Sequence, residues 1–394
     1  MKQLRVLQVS SRYRQLAGEQ RVLESDADLL RAAGHEVRQF EASNDLGTIA
    51  SVASLAASTW NLRQAARIRR AVDQWRPDIA HLHNLWFSLS PSVIGALGRA
   101  GVPTVLTIHN YRLQCVSADL WRDGAPCEVC VGRKVAAAGV VHGCYRGSRL
   151  SSAAVSSASL VQRSMIKRLP AGCVNVPSGY LRDILVRDGF DKTSISVTPW
   201  STADPGERTA SPSNSGNVYF VGRLEPGIKG VERLVSRWNE AKMAGLLDGL
   251  TLNLIGSGPL AGSPLLAGRD VISLGELGRH EIDQMLLLGR ALICPAAWAE
   301  PFGLVAIEAF AAGLPVLGSE RGALPETIGL LGEECLLPLD DENAWTAGLA
   351  GLEDGEFVDR IGALAREVYE AEFSQVHGTL RLEAFYREAL RAEP

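Results

Sequence analysis

Several things are scarce in this sequence, and each scarcity closes off a class of protein. Aromatic residues make up 6% and charged residues 21%, against 46% hydrophobic. That is the balance of an ordinary globular chain, not of a disordered one. Cysteine is sparse: seven residues, an odd number thinly spread outside one cluster, which points to a reducing compartment and away from a disulfide framework. Long apolar runs are missing. The longest uncharged stretch, Leu46–Leu62, is diluted by Ser, Thr, Gly and Asn, so no membrane span is expected. The apolar run before Arg12 is too short for a signal-peptide core. A cytoplasmic location is the expectation. No period of 20–50 residues repeats, which excludes a solenoid. The basic residues lack aromatic interleaving and any nucleic-acid motif, so nucleic acid is not an expected partner.

What is present divides in two. A length of 394 residues suits about two domains. The net charge of −4 is the sum of +10 over residues 1–200 (25 basic, 15 acidic) and −14 over residues 201–394 (15 basic, 29 acidic). A basic first half suits an anionic partner or peripheral contact with the inner face of a membrane; equally, two solvated surfaces can differ in charge. Short β-rich runs at Leu4–Ser10, Ile79–His83, Thr104–His109, Cys173–Pro177 and Ser194–Thr198 alternate with helical patterns such as Glu19–Ala33. A second series follows at Asn217–Val221, Leu250–Ile255, Val271–Leu274, Ala291–Cys294 and Pro315–Gly318. Such alternation predicts βαβ units and doubly wound parallel sheets. Ser201–Gly216 has linker composition. The expected organisation is therefore a Rossmann-like domain over 1–200, a linker over 201–216 and a second Rossmann-like domain over 217–372. An amphipathic last helix over 373–394 is expected to pack back on the first domain. Ligands of such domains lie at the carboxyl ends of the strands, here in a cleft between the two domains.

The second half carries the more telling motifs. After the strand NVYFV comes Gly222-Arg223-Leu224, then Glu225-Pro226-Gly227-Ile228-Lys229-Gly230. Two cations on a loop at a strand end can clamp a diphosphate; they can also be two solvated surface cations. Gly256-Ser257-Gly258-Pro259 closes another strand, a turn that lets a ligand approach the backbone. Pro259 and Leu260 replace the continuation that a dinucleotide-binding fingerprint needs. The segment Ile293–Ser319 places Glu300-Pro301-Phe302-Gly303 before a helix from about Leu304 to Ala312. Its start is a ready anion site. Glu300 and Glu308 beside such a site suit hydroxyls better than phosphate.

Together, GRLEPGIKG, LIGSGP and EPFGLVAIEAFAAGLPVLGSERGALPE resemble the donor half of a family 4 retaining glycosyltransferase (group 1) of the GT-B fold. RAAGHEV, RPDIAHLHN and TVLTIHNYR in the first half are similar to the same family. The resemblance implies a sugar transferred from a nucleotide-activated donor (a UDP-, GDP- or other NDP-sugar) to a saccharide, lipid-linked or small-molecule acceptor, as in polysaccharide or natural-product biosynthesis. It also implies retention of anomeric configuration. Arg223 and Lys229 match the pair that holds the donor diphosphate, and Glu308 the glutamate on the ribose hydroxyls. Glu300 matches the glutamate at the donor sugar, helped by backbone N–H groups near Phe302, Gly303 and Leu304. His109 matches a histidine near the transferred sugar. Gly18 matches a loop that approaches donor phosphate or acceptor. With Gly222, Gly256 and Gly258 these complete the expected donor-binding set. Two departures stand out: Ala17-Gly18 where two glycines are usual, and Gly227-Ile228 where an acidic residue often precedes the lysine. A nucleotide-sugar epimerase on the same fold, or a non-catalytic nucleotide-sugar or glycan-binding protein, are the rival readings. The intact set Arg223, Lys229, Glu300 and Glu308 argues against the second.

No cofactor is needed for such chemistry, because fixed cations and a helix start can stabilise the leaving group. The lone Asp-x-Asp, Asp26-Ala27-Asp28, lies in a predicted helix where i and i+2 diverge. His81 and His83 share a strand face as a metal pair would, with no third ligand nearby in sequence, so they read as packing residues. An insertion over 111–149 holds Cys115, Cys127, Cys130 and Cys144. It is long for a connection and needs a staple. A structural zinc site of four cysteines, or three with His142, is one reading; loop thiols are the other.

Overall fold

A computed structural model describes residues 2–12, 18–43, 59–86 and 88–391. The chain divides into two units: Met1–Leu120, Glu128–Trp200 and Gly378–Pro394 form the first, Trp121–Cys127 and Ser201–His377 the second. Ala17 and most of Leu46–Leu62 lie outside the described residues. Among the described residues, no helix is long and apolar enough to cross a membrane.

In the first unit β1 (Arg5–Arg12), β2 (Glu36–Ser43), β3 (Ile79–Leu82) and β4 (Thr104–Thr107) come first along the chain. The hairpin of β5 (Trp121–Arg122) and β6 (Ala125–Pro126) belongs to the second unit. β7 (Val174–Val176) and β8 (Ile195–Val197) complete a parallel sheet of order β2-β1-β3-β4-β7-β8. β2 escapes a hydrophobic reading because Glu36, Arg38, Gln39 and Glu41 interrupt it; it is an edge strand, where charge is tolerated. The inner strands are buried on both faces, as cover by helices on each side requires. The last helix, Gln375–Arg391, presents Leu382, Phe385, Tyr386 and Ala389 at helical spacing to Leu4, Val6, Leu30, Ile79 and Val105 of this unit. Each such large apolar side chain, once buried, contributes about 1.5–3 kcal/mol.

The second unit repeats the plan with β9 (Asn217–Val221), β10 (Thr251–Ile255), β11 (Val271–Gly275), β12 (Ala291–Cys294), β13 (Val316–Ser319) and the two-residue β14 (Leu336–Leu337). Its order is β11-β10-β9-β12-β13-β14, all parallel. Val218 faces both Leu252 and Ala291. The segment 201–216 belongs to this unit and is pinned to it. The Arg208 guanidinium donates to the carbonyls of Leu286, Gly289 and Ala312, which close two helices, and Pro212 is buried.

Both sheets reverse strand order once, between β1 and β3 in the first and between β9 and β12 in the second. At such a point the loops leave the sheet in opposite directions and open a crevice.

Candidate functional site

The second sheet's crevice gathers the residues that the motifs single out. The loop after β9 is drawn against the loop after β12 by backbone bonds from Ala297 and Trp298 to the Ile228 carbonyl, at 3.0 and 3.2 Å. This approach needs glycine. Gly230 sits at φ +69°, and a Cβ there would lie 2.0 Å from the Pro295 carbonyl oxygen. The result places Lys229 Nζ 2.7 Å from Glu300 Oε2 and over the Trp298 ring, at 4.7 Å from its centroid. Trp298 Nε1 donates to the same carboxylate oxygen at 2.8 Å. Arg223 is more open. It pairs with Glu225 at 2.7 Å, and its side chain is 55% exposed.

The helix Leu304–Ala311 starts from Gly303, whose φ of +98° only glycine adopts cheaply. Its first N–H groups point toward the crevice loop with the positive end of the helix dipole. Phe302 is buried and meets Phe373 edge-on at 6.1 Å, so this loop is held by packing. Glu308 is almost fully buried and pairs with Arg279, which also holds Asp283 at 2.7 Å. Burial alone would lower the Arg279 pKa; the Glu308 and Asp283 carboxylates outweigh it and raise it. Glu300 and Glu308 thus have different cationic partners, Lys229 and Arg279. Arg279 was not singled out from the sequence, because it stands on another helix with no motif around it.

Gly256 and Gly258 are also required by the packing of the neighbouring backbone. Added Cβ atoms would lie 1.9 Å from the Gly222 carbonyl oxygen and 2.5 Å from that of Leu224. The turn after β10 packs directly on the loop after β9, through Gly222 N to Ile255 O and Leu224 N to Ser257 O, both 2.9 Å. These glycines position the Arg223 loop.

In the first unit Gly18 opens the helix Gly18–Ala32, and the next residue, Glu19, lines a small cavity with His83, Asn84 and His109 of the same unit. Asn110 Nδ2 donates to Glu19 Oε1, and burial pushes the Glu19 pKa upward. His83 and Asn84 follow β3, and His109 and Asn110 follow β4. His109 Nε2 lies 3.1 Å from His83 Nδ1, and its ring stacks on His83 at 5.3 Å and tilts against Trp200 at 5.5 Å. Burial pulls the His109 pKa down to about 3 and that of His83 well below its ordinary value. Both rings are neutral.

His81 does gain a neighbouring carboxylate from outside its strand. Asp26, from the helix Gly18–Ala32, brings its oxygen within 4.8 Å of nitrogens of His81 and His83, the one such group of three among the described residues. Both His81 nitrogens are already engaged, with Tyr386 Oη at 2.8 Å and Thr107 Oγ1 at 2.7 Å. A metal would have to break one of these bonds, so the cluster reads as a hydrogen-bonded core.

The four cysteines Cys115, Cys127, Cys130 and Cys144 form no such group. Cys127 goes with the hairpin of the second unit, the others with the first. The insertion has another staple. Arg163, nearly buried, pairs with Asp188 at 2.8 Å and donates to the carbonyls of Arg133 and Lys134, while Gly132 N donates to Asp188 at 2.7 Å. Beside it, Cys130 and Cys144 pack on a small core of Trp86, Val116, Ala136, Val155 and Ala158.

Two family models match this chain: a glycosyl transferase 4-like domain over residues 10–200 and a glycosyl transferases group 1 domain over residues 215–354. Glycogen synthase of Mycobacterium tuberculosis (strain ATCC 25618 / H37Rv) is 27% identical over 353 residues, covering 87% of this chain and 76% of that protein. Sucrose-phosphate synthase from Thermosynechococcus elongatus superposes with a TM-score of 0.71 at 19% identity, over 99% of this chain and 100% of the other. Anabaena Alr3699/HepE in complex with UDP-glucose gives 0.63 at 16% identity, over 98% and 100%. Two tandem parallel sheets of this kind, and matches that between them span both, lead to one assignment: the chain belongs to the group 1, family 4 glycosyltransferases and has the GT-B fold.

Proposed function

We propose that this glycosyltransferase takes its sugar from a nucleotide-activated donor bound in the crevice of the second sheet, and transfers it with retention of configuration. The observation that carries this reading is the cluster of Lys229, Glu300 and Trp298 at the strand-order reversal, beside the start of the helix Leu304–Ala311. Lys229 is neutralised by Glu300, and the more exposed Arg223 is paired with Glu225. A diphosphate arriving at the loop would exchange with both carboxylates. Lys229 and Arg223 would then face the two phosphates, and Glu300 would be released to accept hydrogen bonds from sugar hydroxyls. Glu308, held in place by Arg279, would accept from the ribose.

Breaking the anomeric C–O bond leaves negative charge on the diphosphate. Fixed cations and helix N–H groups stabilise that charge without reorganising, and no metal is required by this reading. The experiment is a screen of UDP-, GDP-, ADP- and dTDP-sugars by thermal shift, followed by turnover with the stabilising donor before and after EDTA. Activity that persists through brief chelation supports the side-chain clamp; immediate loss restored by Mg²⁺ or Mn²⁺ contradicts it. An HepE complex with UDP-glucose supports UDP-glucose as the first donor to try. Contact of the basic first half with an anionic membrane surface, and a structural zinc in the insertion, are separate proposals. The zinc would require Cys115, Cys127, Cys130 and Cys144 to come together, and metal analysis of the purified protein tests it: well under one zinc per chain ends the idea.

A further inference from the structure

The loop that carries Arg223 and Lys229 is fixed at both ends and braced in its middle. Near Arg223, Leu224 N donates to the Ser257 carbonyl and Leu260 N to the Leu224 carbonyl, both at 2.9 Å. Near Lys229, the Ile228 carbonyl accepts from Ala297 and Trp298. Between these anchors stands Gly227 at φ +74°, a conformation that glycine enters and leaves freely. Its N–H is taken up by Glu232, in the first turn of the helix Val231–Met243. The space that a side chain would occupy at this position is filled by Trp121. A Cβ added to Gly227 would lie 3.1 Å from Trp121 Cζ2 and 3.6 Å from Cε2 and Nε1.

Trp121 arrives on a very short hairpin. β5 and β6 pair Trp121 with Pro126 and Arg122 with Ala125. Asp123 and Gly124 join them at φ +53° and +77°, the two positive angles that a type I′ turn requires. An isolated hairpin is marginal even with longer strands, so this one must be held by what it docks on. The chain leaves the first unit after Leu120 to form it and returns at Glu128, and Trp121–Cys127 cluster with the second unit. The one large apolar side chain of that excursion lies on Gly227.

A slack arc between two cations binds an anion poorly, because its backbone must be ordered as the anion arrives. An indole packed on Gly227 orders that backbone beforehand. We infer that Trp121 is a positioning residue for diphosphate recognition. It acts through the Gly227 backbone and holds the arc from Arg223 to Lys229 in the form in which both cations can meet one anion. The inference rests on the reading that these two cations hold the donor diphosphate.

The test titrates the full chain with UDP and with uridine, which carries no phosphate, and follows both by ligand-observed NMR; GDP and guanosine replace them where GDP is the stabilising nucleotide. Trp121→Ala is expected to weaken the diphosphate about tenfold, the scale of ordering one residue's backbone, and to leave the nucleoside unchanged. Trp121→Phe keeps a flat ring over Gly227 and should restore most of the lost affinity. Gly124→Ala meets open space and strains only the positive φ of the turn. It loosens the hairpin without touching the indole, should show a smaller loss of the same phosphate-selective kind, and decides the matter if Trp121→Ala folds poorly. Equal weakening of nucleoside and diphosphate, unchanged diphosphate binding in both Trp121→Ala and Gly124→Ala, or a Trp121→Phe chain as weak as Trp121→Ala overturns the inference. A wild-type chain that binds no nucleoside diphosphate counts against the donor reading instead, so the two failures are distinguishable.

Discussion

The two strand-order reversals are the same device with opposite electrostatics. In the second unit the crevice residues are charged and paired with one another: Lys229 with Glu300, Arg223 with Glu225, Glu308 with Arg279. In the first unit the crevice holds neutral histidines and polar atoms left without partners. A partly exposed ion pair exchanges one partner for another at little net cost, so it suits an anionic ligand that comes and goes. A buried neutral cluster cannot take up charge cheaply. The difference supports the proposed reading, in which an anionic ligand exchanges into the ion pairs of the second unit.

The largest expected effect breaks this contrast from the charged side. Lys229→Ala or Arg223→Ala should lower turnover by about 10²-fold or more, the loss seen when one stabiliser of developing charge is removed. Near-normal turnover in both, with the stabilising donor in hand, would contradict the clamp. Truncating Glu308 should act on binding instead: Glu308→Ala is expected to raise the donor KM about tenfold with a smaller change in kcat, and it leaves Arg279 without its buried partner. Steady-state kinetics at varied donor separate the two.

A third effect tests the neutral side. Burial holds the His81 and His109 pKa values at about 3, against an ordinary 6.5, and His83 well below it. Between these values the unfolded chain binds protons that the folded chain refuses. The stability is therefore present above about pH 6.5 and is lost as pH falls toward 3. Asp26 works the other way: burial raises it to about 7, so its contribution is lost as pH rises from 3.8 through 7. Glu19, also raised by burial, opposes in the same sense as Asp26, and the three rings outweigh the two carboxyls in the shared window. The Tm should drop on acidification from about pH 7.5 to about pH 5, with a slope of up to 1.36 kcal/mol per pH unit for each unmatched proton. A flat or rising Tm would contradict the buried neutral cluster.

The smallest effect concerns thiols. Burial raises the pKa of Cys173 to about 11 and those of Cys294 and Cys335 to about 12. Only the thiolate reacts, so iodoacetamide near pH 8 should leave all three unmodified in the native protein, as peptide mapping reads. Their labelling before unfolding would show these interiors to be looser than the packing indicates.

Much of this was legible in the sequence where one element carries the whole signal. The strands Asn217–Val221 and Ala291–Cys294 are apolar runs closed by loops, and the helix behind Gly303 announces itself by its glycine and its apolar stretch. Edge strand β2 was missed because its charges hide the pattern. Arg279 and Arg163 were missed for another reason, as was the approach of Asp26 to His81: Glu308, Asp188 and His81 are remote in sequence or stand on other elements, and spacing says nothing about such pairs. The glycines of the Gly256–Gly258 turn were visible, but the backbone packing that requires them was not. A ligand and a neighbouring backbone demand the same missing Cβ, and here the neighbour is Gly222 and Leu224.

The central claim, that the charged crevice of the second unit holds the donor diphosphate, is tested most directly by thermal shift with the nucleotide diphosphate that stabilises the wild-type chain. The account predicts that Lys229→Ala and Arg223→Ala abolish most of that shift while Asn84→Ala keeps it. A shift that survives in the first two variants and disappears in the third would contradict it.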